Sequence, residues 1–213
     1  MPVKKKFNAG STPPPGELVK AARAGDLPAV KALLKRGVAP DEIDFTGDTA
    51  LMHAANLGHI EIMNLLLDKG ADPDKKSHSG NTPLMWAIWG RKADSVSLLL
   101  DRGANPDLSS DGDTALIAAT RYNNLDIVRL LIDRGADLDK TGDNGKTALE
   151  LATALGHPAT AQVLAKAPEL RRQRAEEKTK AAAEEVEKVR HNTVTLKQQR
   201  LKQQAQRNKP KLK

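Results

Sequence analysis

Five histidines, a recurring aspartate, five aromatic rings and a run of cations are the groups in this 213-residue chain with chemical potential. His53, His59, His78, His157 and His191 lack the paired spacing that sets two imidazoles on one helix face, and cysteine is absent. Zinc, iron–sulfur, disulfide and thiol chemistry are therefore not expected, and no metal or cofactor is assigned. Acidic pairs such as Asp41 and Glu42 stand among turn-forming residues, where no deep pocket is expected. The chain has no Gly-x-x-x-x-Gly-Lys loop, no Gly-x-Ser-x-Gly elbow and no Gly-x-Gly-x-x-Gly after a strand pattern. An enzyme is not expected.

Binding is the chemistry that remains. Trp89, Arg121 and Tyr122 are residue types that anchor interfaces, because large rigid groups bury area at little entropic cost. The plain alternative for Trp89 is packing against a neighbouring element, and for Trp86 packing is the expectation. Phe45 stands among polar residues and reads equally as an anchor or as ordinary surface. Asp41, Asp74, Asp107 and Asp139 recur at one position; in a turn such a side chain hydrogen-bonds its own backbone, and that structural account is preferred. The other reading is a ladder that attracts a basic partner or a cation. One carboxylate per unit is too sparse to chelate a shared metal.

The C-terminus is the other candidate. From Lys188 onward there are nine cations and no acid. Lys197, Arg200, Lys202, Arg207, Lys209, Lys211 and Lys213 are the candidate polyanion contacts, toward nucleic acid or an anionic surface. No aromatic ring interleaves, so stacking on bases is not supported. A weak apolar seam, Ala182, Val186, Val189, Thr193 and Leu196, breaks at Arg200 and Gln203. It allows a short coiled-coil contact but no stable zipper. A solvated helix that frays after 188 is the plain alternative.

These groups must be positioned by something, and composition narrows what. Apolar residues make up 39% of the chain, charged ones 29% and aromatic ones 2%, which suits a core of Leu, Ala, Ile and Val in packed helices. No apolar run long enough to span a membrane and no secretory leader is seen, so a cytoplasmic protein is expected. Charge is unevenly placed. Residues 16–167 carry 17 basic and 21 acidic side chains, whereas residues 168–213 carry 14 and 6. Any attraction for polyanions belongs to the ends.

The chain repeats. Gly-x-Thr-x-Leu occurs as Gly47-Asp-Thr-Ala-Leu51, Gly80-Asn-Thr-Pro-Leu84, Gly112-Asp-Thr-Ala-Leu116 and Gly145-Lys-Thr-Ala-Leu149, with threonines 33, 32 and 33 residues apart. Gly37, Gly70, Gly103 and Gly135 each follow a leucine-rich stretch. Each threonine suits a helix N-cap, Pro83 suits a first helical position, and Thr147 with Glu150 forms a capping box. Each glycine suits a C-terminal cap. The unit is thus two short helices and a turn, too small to bury its own apolar stripe, so copies must stack.

The pattern resembles the ankyrin repeat family over residues 16–167. Gly70-Ala-Asp-Pro-Asp74, Gly103-Ala-Asn-Pro-Asp107 and Gly135-Ala-Asp-Leu-Asp139 are similar to the family's hairpin opening, and Gly58-His-Ile-Glu-Ile62 to the start of its second helix. The family's histidine after Thr-Pro-Leu is replaced by Met52, Met85, Ile117 and Glu150. Gly16 stands where the first threonine would be, so residues 16–44 read as an N-terminal cap; Pro168 replaces the last glycine, so 143–167 read as a C-terminal cap. Between them lie units 45–77, 78–109 and 110–142.

The expected fold is therefore an all-α ankyrin-repeat solenoid of five helix pairs with β-hairpin-like finger loops. A disordered basic, Pro-rich segment 1–15 precedes it and a charged helical tail 168–213 follows. The resemblance implies a monomeric protein–protein interaction module that binds through fingertips and the concave face of the first helices. Carried onto this chain, the partner-binding positions are Phe45, Thr46, Asp48, Asn56, His78, Ser79, Asn81, Trp89, Asp111, Asp113, Arg121 and Tyr122. Two other readings stay open: an adaptor on nucleic acid or an anionic surface through the tail, and a bacterial effector acting on host proteins through the repeats.

Overall fold

Four threonines begin four helices in the same way. The hydroxyls of Thr49, Thr82, Thr114 and Thr147 accept the backbone N–H three residues on, at 3.3–3.4 Å. Glu150 completes a capping box by accepting the N–H of Thr147 at 2.9 Å, which holds its carboxyl below the ordinary value. Where Gly16 replaces the threonine no side chain of its own can cap, and the Glu42 carboxylate receives the Leu18 N–H instead.

The computed structural model describes residues 16–173, 176, 177, 179, 180 and 188. The N-terminal segment 1–15 lies outside the described residues. So do the apolar seam of the tail and the candidate contacts Lys197, Arg200, Lys202, Arg207, Lys209, Lys211 and Lys213. The chain divides into two compact units, residues 1–165 and 166–213.

The first unit is built from helix pairs. They are α1 (Glu17–Arg23) with α2 (Leu27–Lys35), α3 (Ala50–Leu57) with α4 (Ile60–Asp68), α5 (Pro83–Trp89) with α6 (Ala93–Asp101), and α7 (Ala115–Arg121) with α8 (Leu125–Asp133). A fifth pair joins α9 (Ala148–Ala154) to helical residues 158–165. In the second unit residues 166–173, 176, 177, 179, 180 and 188 are helical, Pro168 among them. Among the described residues the only β pairing is three isolated antiparallel bridges in the finger loops. The expected all-α helical solenoid is what the first unit forms.

Inner helices pack on inner helices, α1 on α3, α3 on α5, α5 on α7 and α7 on α9; the outer helices α2, α4, α6 and α8 follow the same order. Leu18, Leu51, Leu84 and Leu116 are the corresponding buried residues of successive inner helices, all at most 1% exposed, whereas Leu149, at that position in α9, is 38% exposed. Small residues permit the approach. A Cβ on Gly90 would lie 2.0 Å from the Asn56 carbonyl oxygen, so α3 and α5 meet at a point that only glycine admits. Each outer helix ends with a glycine at positive φ, 85–90°, and the following N–H returns to the carbonyl five residues earlier.

Two polar ladders set the register. On the finger side, Asp41, Asp74 and Asp107 accept the backbone N–H of Asp72, Asn105 and Asp137 in the next repeat, at 2.8–3.1 Å for the shorter contact. The local turn bond falls to the residue two places earlier, with Asp72, Asn105 and Asp137 accepting from Asp74, Asp107 and Asp139. At Asp41, Asp74 and Asp107 the recurring aspartate is structural, as preferred, but its partner is the neighbouring repeat and not its own turn; Asp139 is exposed. On the outer side, Arg102 pairs with Asp68 at 2.8 Å and Arg134 with Asp101 at 2.9 Å.

The third outer helix is under-filled. Ser95 and Ala93 stand where α4 has Ile62 and Ile60 and α8 has Ile127 and Leu125. Ser95 is fully buried, its hydroxyl has no hydrogen-bond partner, and it borders an open cavity of about 250 Å³ with Leu57 and Ile60. Thr160, also fully buried at the corresponding place in the last pair, gives its hydroxyl to Asn123 at 2.8 Å. Ser95→Val removes an unsatisfied hydroxyl and fills space, so it is expected to stabilise the repeats by about 1 kcal/mol in denaturant unfolding. A lower unfolding midpoint for this variant would show the site to be closely packed.

Asp74 separates acceptor from charge. Burial pushes its carboxyl above the ordinary value; the Asn105 N–H pulls it down and the nearby Asp72 charge pushes it up again. A carboxyl raised in the folded state favours folding while protonated, and that contribution is lost as pH rises through the raised value. Asp74→Asn keeps an acceptor without charge and should match or exceed wild-type stability at pH 7, whereas Asp74→Ala should cost about 1 kcal/mol. Acidification to about pH 4 should favour the wild type relative to the Asn variant, read from urea midpoints at the two pH values. Equal damage by Asn and Ala would mean that the charge itself holds the repeats.

Candidate functional site

The side chains expected to meet a partner come from two kinds of element, the finger loops and the C-terminal ends of the inner helices. Three fingers turn through three-residue loops, 45–47, 78–80 and 143–145, each closed by a glycine at positive φ. The third finger is one residue shorter. Ser110 and Asp113 exchange both backbone hydrogen bonds, at 2.9 and 3.0 Å, across the two-residue loop Asp111-Gly112. Both loop residues have positive φ, 49° and 84°, the mark of a tight Asp-Gly hairpin turn. The 32-residue spacing between Thr82 and Thr114 is this missing residue.

Its absence opens the finger row. A Cβ on Gly47 would meet His78 of the next finger at 2.4 Å, and one on Gly112 would meet Asp143 at 2.8 Å. Beside Gly80, whose next neighbour is the short finger, nothing lies within 4 Å.

The anticipated residues fall into two groups. Six are engaged within the repeats. The Thr46 hydroxyl lies 2.6 Å from Asp44 and 2.5 Å from Asp48. Asn56 donates to the Trp86 carbonyl at 3.0 Å, and Asn81 accepts from the Ser110 hydroxyl. Arg121 is held by both oxygens of Asp113, at 2.7–3.0 Å, and by Asp143 of the next finger at 3.1 Å. Its pairing with Asp113 outweighs desolvation and holds the guanidinium above its ordinary pKa. Arg121 is thus a strut between fingers, and Asp113 its seat.

The other six face solvent. Phe45 is 94% exposed at the first fingertip, Tyr122 50% exposed as the C-cap of α7, and Trp89 38% exposed at the end of α5. His78, Ser79 and Asp111 are exposed on their fingers. Among the described residues no side chain pairs with the Asp111 carboxylate. Trp89 does not stand alone: its ring centre lies 6.2 Å from that of half-buried Trp86, which meets His53 edge-on at 4.9 Å. The Trp86 indole N–H is buried without an acceptor.

One feature escaped the sequence reading. Val19, Lys20 and Arg23 of α1, Ile43, Asp44 and Phe45 of the first finger, and His53 line a groove of about 440 Å³. The signal was present as Ile43-Asp-Phe45, an alternation that puts both apolar side chains on one face of an extended segment. Asp44, Asp48 and His53 bring ligand atoms within 4.8 Å of one another, but these groups already serve each other. Burial pushes Asp44 up, while the Thr46 hydroxyl, the N–H groups of Asp48 and Thr46 and nearby His53 together hold it below its ordinary value. Among the described residues, no helix is long and apolar enough to cross a membrane.

Comparison with known families accounts for this arrangement. A family profile of ankyrin repeats, three copies long, matches residues 18–110 and 94–174. No match was found among curated proteins. Ankyrin repeats are generic protein–protein interaction modules and in general non-enzymatic scaffolds. Five stacked helix pairs, threonine caps, finger loops and a match over more than half of the sequence place this chain in the ankyrin repeat family.

Proposed function

We propose that the protein binds another protein across its fingertips and the concave ends of its inner helices, acting as a rigid display surface and not as an enzyme. The observation that carries this reading is the exposure of Trp89 and Tyr122 at the ends of α5 and α7, helices whose other large apolar residues are almost all buried. A tryptophan and a tyrosine presented from ordered helix ends lose little conformational freedom on binding, which is the property of an interface anchor.

The struts support the same reading. Arg121 fixes the third and fourth fingers relative to each other through Asp113 and Asp143, and Asn56 fixes α3 against α5. A partner then meets side chains that are already placed, and the ordering cost of association falls. Phe45, His78, Ser79 and Asp111 complete the contact set, with Thr46, Asp48, Asn56, Asn81, Asp113 and Arg121 setting its geometry from behind.

The test is a pair of variants. Trp89→Ala with Tyr122→Ala should leave helical circular dichroism unchanged and the thermal midpoint within a few degrees. Each single change should weaken capture of the physiological partner by about 2 kcal/mol, the scale of an anchor residue. Arg121→Ala should lower capture and raise amide exchange in residues 142–146 together, because it acts by position. Undiminished capture by the double variant, or a collapse of its midpoint, would end the display reading.

A further inference from the structure

The four finger segments, residues 38–49, 71–82, 104–114 and 136–147, carry twelve carboxylates against four lysines. The remainder of residues 16–167 carries thirteen cations against nine acids, so the negative charge of the repeats is concentrated on the fingers. Near the third finger one cation is ion-paired and another is hydrogen-bonded to the backbone. Arg121 lies between Asp113 and Asp143, and the Lys76 ammonium donates to the Ser109 carbonyl at 3.3 Å. Asp111, by contrast, is exposed and unpaired among the described residues, and its hairpin turn fixes it in place. The finger that carries it is the short one, and the space beside Gly80 is open.

The register of the repeat places Trp89 next to that opening. Arg121 touches Asp113, which precedes its own threonine, and Asp143 of the following finger. Trp89 holds the corresponding position one repeat earlier, which sets it beside Asn81 and the third finger. An exposed indole face and an unpaired carboxylate at the edge of a gap suit a guanidinium or ammonium group. The ring attracts the cation through its quadrupole and the carboxylate through charge. An anionic partner would face the excess of finger carboxylates.

We propose that the partner presents an extended basic segment, one arginine or lysine of which enters the gap over the short third finger, between Trp89 and Asp111. This deepens the display reading above and rests on it. The basic segment belongs to a second protein; a nucleic acid would be repelled from this face.

The experiment uses the full chain and a fluorescein-labelled, end-capped peptide of about twelve residues alternating arginine and alanine, followed by anisotropy. Binding should weaken steeply as salt is raised from about 0.05 M to about 0.3 M, as screening shortens the reach of the finger charges. Asp111→Asn should weaken it about fivefold and Trp89→Ala about tenfold, in keeping with one contact each at an anchored site. Asparagine tolerates the left-handed conformation of residue 111, so the turn survives the change. Glu61→Gln, on the outer helix α4, should leave the affinity unchanged. Equal losses from the Asp111 and Glu61 variants would reduce the effect to overall charge and overturn the proposal. So would a failure of the arginine peptide to bind at low salt, or tighter binding of a glutamate–alanine peptide of the same length or of single-stranded RNA at the same face. If Trp89→Ala still abolishes capture of the native partner while the arginine peptide does not bind, the display surface stands and its basic preference falls.

Discussion

Each helix pair in this chain is stable only because of its neighbours. An inner helix of seven or eight residues is well below the length at which a helix persists alone, and the apolar face it shares with its outer partner is covered only by the next pair. The apolar contact supplies most of the energy. A buried leucine or isoleucine contributes about 1.5–3 kcal/mol, whereas an exposed arginine–aspartate pair contributes at most about 1 kcal/mol. The Arg102–Asp68 and Arg134–Asp101 pairs and the Asp41, Asp74 and Asp107 contacts therefore do little to hold the stack together. Their effect is on register: an apolar face tolerates sliding, but a carboxylate aimed at one N–H in the next repeat does not.

That division of labour separates structural from available side chains. Groups at corresponding positions in successive inner helices have different fates because only some have a neighbour to engage. Asn56 reaches the next helix and Arg121 reaches two finger carboxylates, while Trp89, at the same position between them, makes no hydrogen bond among the described residues and stays exposed. A surface made this way is rigid without being exhausted. The residues that fix its shape are polar and paired, and the residues free to meet a partner are mostly aromatic or singly charged.

Much of the architecture was legible in the residues because one physical need repeats. The threonine caps, the terminal glycines and the leucine rows appear wherever a helix must start, stop or bury a face, so their spacing sets the unit and the count of helix pairs. The site was legible only by half. Phe45, His78, Ser79, Trp89, Asp111 and Tyr122 emerged as exposed, but nothing in the order of residues shows that Arg121 folds back on Asp113 or that Asn56 turns away from solvent. Asn56 finds its partner 30 residues on, in the next repeat, and Arg121 spans 8 residues back to Asp113 and 22 forward to Asp143. The aspartate row has the same lesson: a turn aspartate was expected to serve its own loop, and the loop bond went to the residue two places earlier. The spacing of 32 residues was visible, yet its meaning required the hairpin geometry of Asp111 and Gly112.

The short finger also shows where this architecture can vary without loss of stability. The missing residue falls after Asp107 and before Thr114. The contacts that lock the third repeat to its neighbours, Asp74 to Asn105 and Asp107 to Asp137, lie upstream of it, and the cap that starts α7 lies downstream. Helix packing and register are thus settled on both sides of a loop whose length neither side senses. A change in finger length alters what the surface presents, here open space beside Gly80, while the buried leucine rows remain as they are. Finger length can therefore change independently of the forces that fold the chain, because the loop shares no residue with the contacts that set packing and register.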